Sequence, residues 1–213
     1  RSFEPTRVDH EDFDAHAMWL YKDIDWYFVA CEETKVYLEK LGIPSASIHV
    51  TGIPIDPAFG RNRSKRDARI KHGLSPDMTT ILVSAGGFGV GPMEMLIRSL
   101  DELQSPVQMV VICGKNEKLK DDMTKLKTRH AKKVIGFTKE MESYMAASDI
   151  LVGKAGGLTS SEAFAEGLIL MVVNPVPGQE ERNSDHFLEE GIALRCNNLP
   201  ALGFKLDALL QDR

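Results

Sequence analysis

The sequence predicts an α/β protein with a parallel sheet, because short apolar runs alternate with amphipathic ones along the chain. Several apolar runs end in glycine or proline, and a stretch with helical periodicity follows. No apolar run approaches the roughly 18 residues of a transmembrane helix. Strands that alternate with helices form right-handed βαβ units, whose parallel sheet is covered by helices on both faces. Ligands bind such sheets beyond the carboxyl ends of the strands, so the loops that leave the strands are the place to seek a site.

The first quarter of the chain predicts a strand, a helix and a second strand. Residues 26–30 are a strand, and residues 32–41 form a helix followed by Gly42, a residue suited to the left-handed conformation after a helix. Residues 47–51 form the second strand. Residues 52–57 contain two prolines, which fix φ and remove backbone donors, so this stretch cannot be helical. It marks the expected domain boundary.

Residues from about 61 onward predict one parallel-sheet domain. The expected strands are residues 80–84, 107–113, 133–135, 150–152, 169–173 and 192–194. The expected helices are residues 92–103, 117–128, 139–147, 159–166, 180–190 and 199–210.

Composition and charge narrow the class of protein. The chain is 43% hydrophobic and 27% charged, which is ordinary for a globular protein and excludes a disordered tail, a collagen-like fibre and a coiled coil. A net charge of −5 does not favour nucleic-acid binding. Three widely spaced cysteines, Cys31, Cys113 and Cys196, indicate reduced thiols in a cytosolic protein. The chain begins at Arg1 within a polar stretch, so we expect a piece of a longer protein.

A glycine-rich loop follows the strand expected at residues 80–84. Four glycines, from Gly86 to Gly91, precede a helix that has Pro92 near its first turn. Glycine lets a backbone approach a ligand closely, and free N–H groups at a helix start attract phosphate. The spacing is neither the dinucleotide fingerprint nor a P-loop. A tight turn without a ligand is the alternative.

A second glycine loop, residues 153–159, also leads from a strand into a helix. Its N–H groups suit a diphosphate, and the carboxylate of Glu162 offers two acceptor oxygens to a diol such as ribose. The alternative is a capping box, with Thr159 or Ser160 as N-cap and Glu162 as its partner.

A third loop, residues 174–183, combines two prolines with amide and carboxylate side chains at a helix start. Gln179 and Glu180 suit sugar hydroxyls, whereas a solvated first turn favoured by the helix dipole is the alternative. Near the amino terminus, His10, Asp12, Asp14 and His16 lack a metal-ligand spacing, so we expect no metal.

Together these segments resemble the glycosyltransferases that make glycosyldiacylglycerols, namely processive diacylglycerol glucosyltransferases and monogalactosyldiacylglycerol synthases. The matching segments are DFDAHAMW at 12–19, DWYFVACEETKVYLEKLGIP at 25–44, VTGIPIDPAF at 50–59, GGFGVGP at 86–92, CGKNEKL at 113–119, GFTKEMESYMAASDILVGKAGGLTSSEAFAEG at 136–167 and NPVPGQEERN at 174–183. The resemblance implies the GT-B fold, with residues 58–213 as the donor-binding Rossmann-like domain and residues 1–57 as a remnant of the amino-terminal acceptor domain plus linker.

The resemblance also implies roles for particular residues. The donor, a UDP-hexose, would contact a set that runs across the sheet edge: Gly86, Gly87 and Phe88 near diphosphate and sugar, Gly136, Phe137 and Thr138 at the uracil, Ala155, Gly156, Gly157, Leu158 and Thr159 at the diphosphate, Glu162 at the ribose, and Gln179 and Glu180 at the hexose. His16 and Trp19 would lie on the acceptor side. His16 is a weak candidate for the general base, which family members take from a segment absent here.

The implied reaction is inverting transfer of glucose or galactose to diacylglycerol, without a cofactor or metal and without a nucleic-acid partner. A cytoplasmic, peripheral membrane protein is implied, and the isolated piece is expected to bind donor without useful transfer. The basic stretches 61–71 and 115–133 are either contacts to anionic lipid or solvated faces. Another UDP-sugar enzyme (an N-acetylglucosaminyltransferase or an epimerase) and a non-catalytic UDP-sugar-binding module are the alternatives. The oligomeric state is left open.

Overall fold

The computed structural model describes residues 6–15, 20, 24–86 and 91–211, and these form two parallel sheets. The smaller sheet has the order β1-β2-β3, with β1 at Arg7–Asp9, β2 at Trp26–Val29 and β3 at Ile48–Val50. Helix α1, Glu32–Lys40, connects β2 to β3. Gly42 follows it with φ +93°, as the sequence predicts.

In the described ranges, the larger sheet has six strands and is flanked by seven helices. Its strands are β4 (Thr79–Ser84), β5 (Val107–Ile112), β6 (Ala131–Ile135), β7 (Ile150–Gly153), β8 (Ile169–Val173) and β9 (Ala193–Cys196). The helices are α2 (Lys65–Lys71), α3 (Met93–Asp101), α4 (Glu117–Lys125), α5 (Met141–Ala146), α6 (Gly157–Ala165), α7 (Gln179–Glu189) and α8 (Leu202–Gln211), with a short 3₁₀ turn, Leu199–Ala201, before α8.

All strand pairs of the larger sheet are parallel, and the strand order is β6-β5-β4-β7-β8-β9. The order reverses between β4 and β7, and a crevice opens at such a reversal beyond the carboxyl ends of the strands. The predicted parallel α/β architecture is confirmed. The two glycine loops leave these two central strands, so the topology places both of them at the crevice.

The core of the larger sheet lies on both of its faces, because side chains alternate along a strand. In β4, Ile81 and Val83 pack against α3 and α8, while Leu82 packs on the opposite face. Every residue of β5 is buried. Strands buried on both faces are typical of parallel sheets covered on both sides, and the one polar side chain of β5, Gln108, is hydrogen-bonded to Ser75 and Thr80.

Residues 52–57 connect the two sheets and belong to neither. The division into two domains at this stretch stays a prediction. Among the described residues, no helix has both the length and the apolar character needed to span a bilayer.

The basic stretch at residues 61–71, which follows the connection at residues 52–57, contains helix α2, and the sequence pattern does not predict this helix. The cations of this stretch are largely paired with acids further along the chain: Arg63 with Glu166, Lys65 and Arg69 with Asp149, Arg66 with Asp77, and Lys71 with Glu140. Arg69 is buried and also donates to the carbonyls of Ala147 and Pro76. These pairs hold α2 to the part of the chain that carries the larger sheet, so the stretch is more than a solvated face, and its contact with lipid stays a prediction.

Candidate functional site

A narrow crevice lies at the reversal of strand order. A cavity of about 30 Å³ forms its floor. The cavity is lined by the ends of β4, β7 and β8 and by the start of α3: Ser84, Ala85, Gly91, Pro92, Met93, Leu96, Val152, Gly153, Lys154, Val173 and Asn174. Gly86 and Gly91 have φ +71° and +143°, conformations that favour glycine. Gly87 and Phe88, expected near the donor, lie outside the described residues.

Helix α6 begins at the crevice with no side-chain cap. It starts at Gly157, two residues earlier than predicted, and Gly156 is its N-cap. Among the described residues, no acceptor bonds the N–H groups of Gly157, Leu158 and Thr159. The capping-box alternative is therefore wrong, since Thr159 lies inside the first turn. Gly157 is itself buried, and three unpartnered N–H groups at the positive end of a helix dipole have the chemistry that suits an anion.

Glu162 lies one turn further along α6 and is half-buried. Burial, and then the charge of Asp56 on the linker, raise the pKa of its carboxyl to about 7. Among the described residues no group donates a hydrogen bond to it. A desolvated carboxylate without donors is costly on its own, and hydroxyl groups of a ligand are donors that would reduce this cost.

Lys154 is a cation at the crevice for which the sequence pattern predicts no role. It follows β7 directly and lines the crevice floor. Within the described part of the chain it forms no ion pair. Its position within a glycine loop was the available signal, because a cation there suits a diphosphate.

The exits of β5 and β6 carry an exposed aromatic ring. Phe137 is 58% exposed, and the Lys115 ammonium lies 5.6 Å from its ring centroid. Gly136 packs closely, since an added Cβ would lie 3.3 Å from Lys120 Cδ and 3.4 Å from Glu117 Oε1. The Thr138 hydroxyl accepts a hydrogen bond from the Glu140 N–H at 3.0 Å. An exposed ring beside open backbone suits stacking of a planar base.

The start of α7 carries the side chains expected at the hexose. Gln179, the first residue of α7, is exposed. Glu180 Oε2 instead accepts a hydrogen bond from the Val176 N–H at 2.6 Å, so this carboxylate also shapes its own loop. Asn174, where the loop begins, has φ +46° and is the one non-glycine residue with positive φ in the described ranges. Such conformations cluster at ligand sites.

A segment of the amino-terminal part, residues 11–14, packs against this site, and we call it the strap. Asn183 on α7 bonds the strap through Asp12 and Phe13. Arg182 pairs with Asp14 at 2.6 Å, and the Phe13 ring lies edge-on to Phe187 at 4.8 Å between centroids. His16 and Trp19, expected on the acceptor side, lie outside the described residues.

One group of metal-ligating side chains is found in the described part of the chain. Atoms of Cys31, Glu33 and His186 lie within 4.8 Å of one another. Burial raises the pKa of the Cys31 thiol, so the protonated form is favoured, and Cys31 Sγ lies 3.4 Å from the Phe13 carbonyl as its donor. Glu33 is exposed. Cys31 Sγ also lies 3.3 Å from Thr34 Oγ1, so the thiol has hydrogen-bond partners outside this group.

Comparison with known proteins identifies the family to which this chain belongs. Residues 64–213 match the family model of glycosyl transferases group 1, and residues 10–55 match that of monogalactosyldiacylglycerol (MGDG) synthase. The first match takes in more than half of the chain, which therefore belongs to the group 1 glycosyl transferases. The resemblance to glycosyldiacylglycerol-forming enzymes is thereby confirmed at the level of family.

The chain is also similar to individual proteins of known activity. The chain is 37% identical over 210 residues to processive diacylglycerol beta-glucosyltransferase of Staphylococcus aureus, a match that covers 98% of this chain and 54% of that protein. The chain thus spans about half the length of the curated relatives it matches.

Solved structures support the GT-B fold. Acinetobacter baumannii MurG is 18% identical with a TM-score of 0.64, over 98% of this chain and 58% of that one. Anabaena HepE in complex with UDP and glucose is 13% identical with a TM-score of 0.61, over 98% and 62%. At these identities the likeness concerns the fold alone.

Proposed function

We propose that this chain is the donor-binding part of an inverting hexosyltransferase that moves glucose or galactose from UDP to diacylglycerol. The observation that carries the proposal is the open start of α6 beside the half-buried carboxylate of Glu162, both at the reversal of strand order. The activity of the Staphylococcus aureus relative and the UDP and glucose bound to HepE point to the same ligand class.

The order of the candidate groups matches a nucleotide sugar laid along the sheet edge. Phe137 follows β6, Gly157 follows β7, and Gln179 follows β8. From β6 to β8 there are four strand-to-strand steps, and at about 4.8 Å each they span about 19 Å. This distance accommodates a base, a ribose, two phosphates and a sugar in that sequence.

The chemistry follows from these positions. An acceptor hydroxyl forms the new bond at the anomeric carbon from the face opposite the diphosphate. The bond from that carbon to the β-phosphate oxygen breaks, and the electron pair leaves with UDP. The N–H groups at the start of α6 and the ammonium of Lys154 would stabilise the charge that develops there; one such donor is typically worth roughly 10²–10³ in rate. A general base takes the hydroxyl proton, and we place it outside the described residues.

Calorimetry provides the direct test. The chain is titrated with UDP, UDP-glucose, UDP-galactose and UDP-N-acetylglucosamine. We expect UDP binding, with preference for one hexose donor among the four ligands. Tightest binding of UDP-N-acetylglucosamine would favour the alternative acetylglucosaminyl enzyme, and absence of UDP binding would contradict the proposal. Transfer to diacylglycerol in vesicles, assayed with the longer parent protein, tests the lipid acceptor.

Replacing Gln179 by alanine is expected to weaken UDP-hexose binding by roughly 3- to 10-fold and to leave UDP binding nearly unchanged. The reason is that the exposed amide would bond sugar hydroxyls, each net hydrogen bond being worth about 1 kcal/mol. Gln211→Ala, at an exposed glutamine at the end of α8, serves as the control. Equal losses for UDP and UDP-hexose would place Gln179 away from the sugar.

A further inference from the structure

We infer that Asn183 is a positioning residue that fixes the backbone before α6, so that the anion site at the start of α6 depends on it. The inference rests on the proposed function for the ligand, a nucleoside diphosphate. Asn183 lies on α7, one turn beyond Gln179, and is fully buried.

The Asn183 amide bonds two segments that are distant in sequence. Its Nδ2 donates to Asp12 Oδ1 at 2.8 Å and to the Ala155 carbonyl at 3.0 Å. Its Oδ1 accepts from the Phe13 N–H at 2.8 Å. Both N–H groups of the amide and its oxygen are thus used. Among the described residues, Asn183 is the one side chain that hydrogen-bonds both the strap and the loop before α6.

The Ala155 carbonyl belongs to the peptide that leads into Gly156 and Gly157. These two glycines have no side chain to hold them, and glycine loses the most conformational freedom when it is ordered. A hydrogen bond to the Ala155 oxygen sets the plane of that peptide, and with it the direction in which the chain enters α6. Asn183 therefore acts on the open N–H groups through the backbone and does not need to touch the ligand.

The strap is also attached to α1 and α7 by contacts that do not involve the loop before α6. The Phe13 carbonyl accepts a hydrogen bond from Thr34 Oγ1 on α1 at 2.8 Å. The Phe13 ring stacks on His186 at 5.1 Å and meets Phe187 edge-on. The strap is thus held by contacts that do not involve Ala155. This separation allows the effect of Asn183 on the loop to be measured apart from its effect on the strap.

Three variants separate the two effects. Asn183→Asp keeps the acceptor for Phe13 but loses both donors and places a carboxylate near Asp12. Asp12→Asn combined with Asn183→Asp restores one bond with its direction reversed, since the amide introduced at position 12 donates to the carboxylate introduced at position 183. The Ala155 carbonyl still lacks its donor in this double variant. Ser184→Ala, at a buried neighbour on α7 whose hydroxyl has no hydrogen-bond partner among the described residues, is the matched control.

We expect Asn183→Asp to lower the melting temperature and to weaken UDP binding at least 10-fold. In the double variant the melting temperature recovers, whereas UDP affinity stays at least 5-fold below that of the unsubstituted chain. Ser184→Ala leaves UDP affinity unchanged and does not lower the melting temperature, because it removes a buried hydroxyl without a partner among the described residues. Recovery of UDP affinity together with the melting temperature would show that Asn183 acts only through the strap, and would overturn the inference, as would unchanged affinity in Asn183→Asp.

A ligand-free measurement keeps the inference separate from the proposed function. In ¹⁵N-labelled protein, the amide signals of Gly156, Gly157 and Leu158 are expected to shift in both Asn183→Asp and the double variant, and to stay in place in Ser184→Ala. Unshifted signals in the double variant would overturn the inference. If the unsubstituted chain bound no UDP, the proposed function would fail, and these signals would still decide the role of Asn183.

Discussion

Replacing Gly157 by alanine is expected to lower the free energy of unfolding by about 1–3 kcal/mol, the usual cost of overpacking, and to weaken UDP binding at least 10-fold. A Cβ at this position would overlap the backbone oxygen of Glu11 and would lie 3.0 Å from Ile53 Cδ1. A backbone oxygen cannot turn aside as a flexible side chain can. The strap must therefore leave α6, or the start of α6 must shift.

Helix propensity alone predicts the opposite result, namely that Gly157→Ala raises the free energy of unfolding. Gly157 is helical and has no positive φ, and alanine in a helix interior is about 1 kcal/mol more favourable than glycine. A loss of stability would thus come from the strap contact. The neighbouring Gly156→Ala is the control, because Gly156 has φ −72° and no atom within 4 Å of an added Cβ. Chemical denaturation measures both; a Gly157→Ala protein as stable as the unsubstituted chain would show that the strap does not pack on α6.

The alternation of strands and helices could be predicted because it depends on local pattern. The largely apolar strand β5 and the glycine loops after β4 and β7 are visible in the sequence. A parallel sheet carries such loops at one edge, so their shared location follows from topology alone. The same local pattern predicted Gly42 at the end of α1.

The start of α6 and the existence of α2 could not be predicted, because tertiary contacts decide both. Thr159 has the side chain of a good N-cap, yet α6 begins at Gly157, where the strap comes too close for any side chain. In α2, Arg69 is buried against Asp149, 80 residues further along the chain. The sequence showed only a basic stretch there.

Asn183 illustrates why part of the site escapes sequence reasoning. Its hydrogen bonds to Phe13 and Asp12 join residues 170 and 171 positions apart. Its place in a polar helix start suggested a solvated side chain, whereas it is fully buried. No spacing rule relates these residues, because the two segments meet only once α7 has packed beside the strap.

Replacing Glu162 by glutamine is expected to raise stability and weaken donor binding at the same time. Burial raises the pKa of this carboxyl from 4.5 to about 7 in the folded chain. The folded state therefore holds the proton more tightly than the unfolded state, and the stability that this proton contributes is complete below pH 4.5 and lost as the pH rises through about 7. Glutamine, which stays neutral, avoids this loss.

The raised pKa of Glu162 determines how much stability Glu162→Gln gains and the pH range in which the gain is measured. Because Glu162 is only half-buried, solvent screening reduces the full conversion of the shift, and we expect a gain of about 1–2 kcal/mol at pH 8 for Glu162→Gln. At pH 4 the two proteins are expected to be equally stable. Asp56→Asn removes the second cause of the raised pKa. This variant should therefore lose stability at a lower pH than the unsubstituted protein does. Urea denaturation between pH 4 and pH 8 measures all three proteins.

Donor binding responds to the same ionisation with the opposite sign. An ionised carboxylate accepts hydrogen bonds from two ribose hydroxyls, and bonds to a charged group are worth about 1.5–3 kcal/mol, so Glu162→Gln is expected to weaken UDP-glucose binding roughly 10- to 100-fold at pH 8. The affinity of the unsubstituted chain should rise between pH 6 and pH 8, and that of Glu162→Gln should stay level. UDP-glucose is the suitable probe, because its diphosphate is esterified at both ends and lacks the ionisation near pH 6 of a terminal phosphate. A gain in stability at pH 8 without any loss of affinity would mean that the Glu162 carboxylate destabilises the fold when ionised and that it does not contact the ribose.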